Sequence, residues 1–300
     1  MLKLFVCTLF LFSTLFAEKS QEAFHDKSAW FNAFLEATDQ KIVLRERILD
    51  ALKEKPLWEQ IEDPNKDLSL LLVGVGNGGI ELALLKDLEN TRGSNIRFSA
   101  YCEDPSEQMK VEFYQNAKEA GVASTIKEYS LLNFEDPRYQ PSSADFVLAS
   151  HVWYYCKEWQ KVPYEQNSLA KFYHLINPNG IGLIALQSCT SDRYAFLSGY
   201  SQFIGQTLDV AGEDLAAEYD RLSIPYKIEI VEAHTSLKNC FQNGQFNPNL
   251  QGKHLLSFLL RTWWDDIPLE IQEKLIEHIL LLVKTNKAEE FIFRDVFIWL

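Results

Sequence analysis

The chain has 300 residues, 47% of them apolar and 13% aromatic, which supplies one full-sized core or a core with a substantial cap, so disorder is not the default reading. Its 42 acidic residues outnumber 29 basic ones, a formal net charge of −13, and no basic stripe is visible. That balance excludes nucleic acid as a partner and favours small cationic ligands. The cysteines offer no Cys-x-x-Cys pair and no Cys/His spacing suited to zinc, so no metal site is expected and the thiols read as isolated and buried.

The first residues, MLKLFVCTLFLFSTLFAEKS, give one lysine, an apolar run over 4–17 and then a charged stretch. The run is too short to span a bilayer comfortably and fits a secretory signal over 1–17, so export to a periplasm or the outside is expected, or the cytoplasm if the run is no signal. No stable membrane span is expected in the mature chain. Residues 18–300 read as one domain, with a cofactor-binding core over about 66–190. Helices over 21–55 and an insertion over about 234–288 form a substrate cap.

Helical periodicity over 21–52 places Trp30, Phe31 and Phe34 on one aromatic face, where Phe31 and Phe34 roof the pocket or, equally simply, fill core. An apolar strand at 68–73 leads into a turn with Gly74, Gly76, Gly78 and Gly79, then a helix from Ile80. IRFSAYCE is a second strand, and Asp104-Pro105-Ser106 starts the next helix. STIKEYSLL and ADFVLASHVWYY are the third and fourth strands. LAKFYHLINPNGIGLIALQS reads as helix, turn at 177–180 and fifth strand. A helix over 192–208, a strand YKIEIVEAHTSL, a Gly/Asn-rich stretch, two helices and a last strand EFIFRDVFIWL complete the chain. Strands separated by helix-length segments give an α/β fold with a mainly parallel, doubly wound sheet, finished by an antiparallel strand pair.

The glycine turn satisfies both the dinucleotide fingerprint and the turn that seats S-adenosylmethionine, and a merely tight strand-to-helix turn is the bland alternative. Glu103 and Asp104 end the second strand, where either cofactor needs a carboxylate to accept both ribose hydroxyls; an ordinary acid at a helix start is the structural alternative. His151 falls at the carboxyl end of the fourth strand, where open α/β sheets hold ligands. An imidazole there can take or relay a proton near neutral pH, or it is simply a packed core histidine. Tyr154 and Tyr155 offer ring faces to a sulfonium or an acceptor cation, against ordinary aromatic packing.

ADFVLASHVWYYCKEW, with its tandem Tyr154-Tyr155, resembles the corresponding stretch of the histamine N-methyltransferase family. LLLVGVGNGGIEL, EDPSEQ, FYHLINPNGIGLIALQS and SLKNCFQNG resemble its other segments. The similarity covers residues 30–300 and is clear in these islands. It implies a Rossmann-like class I methyltransferase sheet with a helical cap, S-adenosyl-L-methionine as cofactor, and methyl transfer to a small molecule, an amine nitrogen foremost. It further implies that Gly74, with Gly76 and Gly78, seats the methionine moiety, that Asp104 takes the ribose, that Ser150 holds the cofactor through its backbone, and that Ser130 or Asn133 meets the adenine.

On the acceptor side the chain departs from the family. The family's glutamine is His151 here, and its N-terminal glutamate falls at Asp39 or Gln40. Its C-terminal asparagine meets an apolar residue in FIFRDVF, its cap tryptophan pair is reduced to Tyr194, and Cys240 with Phe241 is pocket wall. These departures leave another small amine or heteroatom as the acceptor. A non-catalytic cofactor-binding protein and an NAD-dependent oxidoreductase stay open as alternatives. The chain reads as a monomer whose partner is its small-molecule acceptor.

Overall fold

The run LSLLLV, apolar except for Ser69, becomes β1 (Leu68–Val73), almost wholly buried, as a central parallel strand covered on both faces must be. A computed structural model describes residues 28–54, 67–91, 97–205 and 210–300; the expected signal over 1–17 lies outside these residues. β1 pairs in parallel with β2 (Phe98–Glu103) and β4 (Ala144–Ser150). β2 pairs in parallel with β3 (Ile126–Ser130), and β4 with β5 (Ile176–Gln187). β9 (Glu290–Trp299) runs antiparallel to β5, and β6 (Lys227–Ser236) lies beyond it. The order β3-β2-β1-β4-β5-β9-β6 is the expected mainly parallel sheet with an antiparallel finish. The dinucleotide-binding order has no antiparallel strand inserted beside the fifth.

Alternation along β4 shows why both faces are covered. Phe146 and Leu148 enter one buried cluster with Leu70, Leu72 and Phe113, while Val147 and Ala149 enter another with Trp153, Phe172 and Tyr219. The helices behind these clusters include α2 (Gln40–Glu54), α3 (Glu81–Thr91), α4 (Glu107–Ala120), α5 (Ser168–His174) and α7 (Gly212–Leu222). Of these, α4 has the cap its sequence predicts, with the Ser106 hydroxyl accepting from Met109 N–H and Gly121 ending the helix at φ 80°.

Two local readings are corrected. The single helical stretch over 21–52 is broken within the described residues into α1 (Ser28–Ala37) and α2, because Thr38 bridges to Thr235 and Asp39 N–H donates to His234 O. The NPNG turn lies inside β5, where the β4 register passes from Ala144↔Ile176 to Phe146↔Ile181. The Asn177 amide donates to the Asp145 carboxylate and Asn179 takes φ 69°, so the turn chemistry is spent on a bulge without ending the strand.

The chain divides into two compact units. The larger comprises 40–195, 208–233 and 293–300 and holds the glycine turn and most of the sheet. The smaller comprises, among the described residues, 28–39, 196–205 and 234–292. Its described part carries α1, most of α6 (Asp192–Ile204), the hairpin of β7 (Phe241–Gln242) and β8 (Gln245–Phe246), α8 (Leu250–Leu260) and α9 (Leu269–Asn286). Among the described residues no helix is long and apolar enough to cross a membrane, and no cluster of His, Cys, Asp and Glu could hold a metal ion. Cys102, Cys156 and Cys240 are buried free thiols, whereas Cys189 is exposed, in the turn between β5 and α6.

Candidate cofactor and acceptor site

The glycines after β1 are bare for different reasons. Gly74, Gly76 and Gly78 take φ of 64°, 51° and 82°, a region open to glycine at little cost. A Cβ on Gly74 would lie 2.4 Å from Val152, and one on Gly78 would lie 2.6 Å from Leu82, so both positions are closed by the protein's own packing. A Cβ on Gly76 would meet nothing nearer than the Met109 sulfur at 4.0 Å, so here alone among the three the backbone faces open space. At Gly79 the Lys41 ammonium occupies the Cβ position, at 2.5 Å.

The two acids that end β2 fasten this turn. Glu103 is buried and its carboxyl accepts from Gly74 N–H at 3.1 Å; Asp104 accepts from Gly76 N–H at 3.0 Å and from Ser106 N–H at 2.9 Å. Burial pushes the Glu103 carboxyl up to about 8, with the charge of Asp104 acting the same way and the Gly74 N–H against it. The outer side of the turn is tied as well, by Tyr129 O–H donating to Gly76 O at 3.2 Å and the Asn116 amide donating to Asn77 O at 2.9 Å. Asp104 is half-buried, and its carboxylate holds the turn through these backbone N–H groups.

β4 ends at Ser150, half-buried, and the next residue turns sharply: His151 takes φ 56°, a left-handed conformation rare for a residue with a side chain. His151 N–H still donates to Ala185 O at 2.8 Å, so the imidazole is turned out of the strand while its backbone stays on the sheet. Its Nδ1 is 3.2 Å from the Tyr154 hydroxyl, which also accepts from Gln187 N–H at 3.3 Å. Its Nε2 is buried without a hydrogen-bond partner, 3.6 Å from a carboxylate oxygen of Asp295. Tyr155 packs edge-on to Tyr154, with ring centroids 6.4 Å apart, and is exposed.

Asp295 comes from the antiparallel strand. It sits opposite Gln187 in the β5–β9 register, so the two side chains share a face of the sheet. Asp295 is 1% exposed; one of its oxygens accepts from the Gln40 amide at 2.7 Å and the other has no partner. Gln187 is 3% exposed; its carbonyl oxygen accepts from Arg193, and its amide nitrogen and the Arg193 Nε are both buried without a partner. Among the described residues, His151, Asp295, Gln187 and Arg193 therefore hold four buried polar atoms without a hydrogen-bond partner, two acceptor or imidazole positions and two donors, in a class of atom that is rarely left unpaired.

Sequence reasoning missed Asp295, Gln187 and Arg193. FIFRDVF, where the resemblance implied an apolar residue, also carries Asp295, buried and opposite Gln187 in the β5–β9 register. A lone acid in an otherwise apolar strand was the available signal. Of the two N-terminal alternatives, Gln40 reaches Asp295, while the Asp39 carboxylate accepts from His234 N–H within the smaller unit. Ser130 is half-buried with its hydroxyl accepting from Leu132 N–H, and Asn133 is exposed with its side chain accepting from Glu135 N–H. Tyr194 is half-buried in the first turn of α6. Phe31, Phe34 and Cys240 belong to the smaller unit: the Phe34 ring stacks on Phe258 at 4.5 Å, the Phe31 ring lies tilted to it at 5.7 Å, and the Cys240 thiol is buried 3.9 Å from Gly252 O.

No protein-family model and no curated protein matches the chain. Solved structures with a similar fold include an SAM-dependent methyltransferase from Geobacter sulfurreducens in complex with S-adenosyl-L-homocysteine, 14% identical over 80% of this chain and 93% of that one, TM-score 0.41. The SAM-dependent methyltransferase from Thiobacillus denitrificans, also with S-adenosyl-L-homocysteine, is 13% identical over 80% and 93%, TM-score 0.40. Magnesium protoporphyrin IX methyltransferase from Synechocystis is 14% identical over 65% and 78%, TM-score 0.42. The fold is defined by the chain's own strand order: a Rossmann-like α/β sheet whose fifth strand is flanked by an antiparallel β9.

Proposed function

We propose that the protein is a S-adenosylmethionine-dependent methyltransferase acting on an amine nitrogen of a small molecule. The observation that carries this reading is β9, which sets Asp295 beside Gln187 and His151 at the carboxyl ends of β4 and β5. The dinucleotide order has no such strand there, and carboxyl ends of parallel strands are where open α/β sheets bind ligands. The residues after β1 and β2 fit the cofactor: Gly76 leaves open backbone for a ligand, and the Asp104 carboxylate, bonded to that same backbone, is the acid that would meet the ribose hydroxyls. When bound, the cofactor supplies a methyl group on a positively charged sulfur, open to in-line displacement.

The protein's part is positioning and proton transfer. Holding two reactants aligned about 3 Å apart is worth roughly 7–11 kcal/mol without any covalent step. With Nδ1–H donated to the Tyr154 hydroxyl, His151 presents the Nε2 lone pair beside Asp295, and an ammonium between them has two acceptors. Asp295 holds the amine and His151 Nε2 takes its proton, which frees the nitrogen lone pair. Gln40 fixes the Asp295 carboxylate, and the Tyr154 and Tyr155 rings face the cationic groups. We further propose that residues 1–17 direct export; N-terminal sequencing of the mature protein tests that separately.

The experiment is transfer of labelled methyl from S-adenosylmethionine to a panel of small amines by the full chain. Labelled product from at least one amine supports the reading. Cofactor binding with no transfer to any amine supports the non-catalytic alternative, and binding of NAD with none of S-adenosylhomocysteine supports the oxidoreductase.

A further inference from the structure

We propose that the acceptor is a zwitterion, an amine that also carries a carboxylate, and that Arg193 and Gln187 bind the carboxylate. This rests on the amine reading above and names the acceptor's second charged group. The unpartnered atoms of the site are of two kinds. Asp295 Oδ1 is an acceptor, and the His151 Nε2 beside the same carboxylate completes an ammonium-binding pair. Gln187 Nε2 and Arg193 Nε can only donate.

An ammonium satisfies the first kind and leaves both donors stranded. An unmade hydrogen bond on a buried group costs about 1–3 kcal/mol, more on a charged one, so an acceptor that answers only half of these atoms wastes the other half. Arg193 makes no ion pair among the described residues, although the chain carries 42 acids, and its one hydrogen bond there goes to the neutral Gln187 amide. A guanidinium and an amide N–H side by side form a fork that suits two carboxylate oxygens.

Spacing limits the ligand. Gln187 and Asp295 are directly opposed across an antiparallel pair, where Cβ atoms stand about 4.5–5.5 Å apart. The donors and acceptors therefore share one face at a separation that a compact amino acid spans, its ammonium toward Asp295 and its carboxylate toward Arg193. The field of a −13 chain repels free anions, so a bare carboxylate gains little there, while the zwitterion brings its own cation.

The test is calorimetric binding to the full chain saturated with S-adenosylhomocysteine. The ligands are matched pairs: glycine and methylamine, β-alanine and ethylamine, γ-aminobutyrate and propylamine, phenylalanine and phenethylamine. At least one amino acid is expected to bind at least ten-fold more tightly than its matched amine. Arg193→Met and Gln187→Leu are each expected to remove that preference. If Gln187→Leu no longer binds S-adenosylhomocysteine, the near-isosteric Gln187→Glu takes its place and is expected to remove the preference by repelling the carboxylate. Amines that bind as tightly as their amino acids, absence of binding by every amino acid, or a preference that survives Arg193→Met overturns the proposal and leaves the amine reading standing. Failure of the wild-type chain to bind S-adenosylhomocysteine is a different result, which removes the methyltransferase reading and this inference with it.

Discussion

The turn after β1 and the corner where β9 meets β5 differ in how their polar groups are satisfied. At the turn, Glu103, Asp104, Tyr129 and Asn116 each bind a backbone group of residues 74–77, and the loop is held before any ligand arrives. At the corner, Gln40 fixes Asp295 and Arg193 fixes Gln187, yet four buried polar atoms have no partner among the described residues. The first region is held by its own hydrogen bonds. In the proposed reading, the second region is completed by the acceptor, whose identity its residues set. A protein can change substrate at such a corner without disturbing the turn.

The largest effect separating the two regions is expected at His151. His151→Asn keeps a residue that tolerates the left-handed backbone but removes the imidazole. Methyl transfer should fall on the order of 10²- to 10⁴-fold, the usual worth of a general base, with affinity for S-adenosylhomocysteine unchanged. Equal turnover by mutant and wild type would return His151 to a packing role.

A smaller and opposite pattern is expected at the turn. Asp104→Ala removes a charged acceptor from Gly76 and Ser106, and bonds of that kind are worth about 1.5–3 kcal/mol. Cofactor affinity should drop roughly ten- to hundred-fold by calorimetry, with binding of an acceptor left to the other corner. Gly74→Ala tests packing: its Cβ collides with Val152, so the melting temperature should fall, and Val152→Ala in the same chain should recover part of the loss. Gly76→Ala carries only the left-handed strain, about 1–2 kcal/mol, and should lower cofactor affinity more than Gly74→Ala lowers it relative to stability.

The mildest effect is a pH slope. Glu103 is raised in the folded chain from the ordinary carboxyl range to about 8, so between about pH 4.5 and 8 the folded state holds a proton the unfolded state has lost. Its contribution to stability is fully present below pH 4.5 and fades as pH rises toward 8. Chemical denaturation at several pH values should show stability declining across that window, and Glu103→Gln should flatten the decline. A wild-type profile that rises from pH 5 to 8 with the Gln variant parallel to it contradicts the assignment.

The parts of this molecule that repeat a local pattern were legible in its sequence. LSLLLV announces a buried strand, Asp104-Pro105-Ser106 a helix start, and the last apolar strand an antiparallel finish, each through residues near one another in the chain. His151 and Tyr154 were legible for the same reason, as neighbours at one strand end. Asp295 with Gln187, and Gln40 with Asp295, were not, since these pairs join positions 108 and 255 residues apart and depend on a strand register that periodicity does not give. NPNG misled because turn residues also serve a bulge, with Asn177 bonded to Asp145. Phe31 and Phe34 show the limit of a helical pattern, because an aromatic helix face looks alike whether it roofs a pocket or fills core; Phe34 stacks on Phe258 and Phe31 lies tilted beside the same ring.

The central claim is that the turn held by Asp104 seats S-adenosylmethionine, and calorimetric titration of S-adenosylhomocysteine and NAD into the wild-type chain and Asp104→Ala tests it most directly. The account predicts one S-adenosylhomocysteine per chain, at least ten-fold weaker binding in Asp104→Ala, and no binding of NAD to either. Binding of NAD in place of S-adenosylhomocysteine, or an Asp104→Ala affinity equal to that of the wild type, contradicts it.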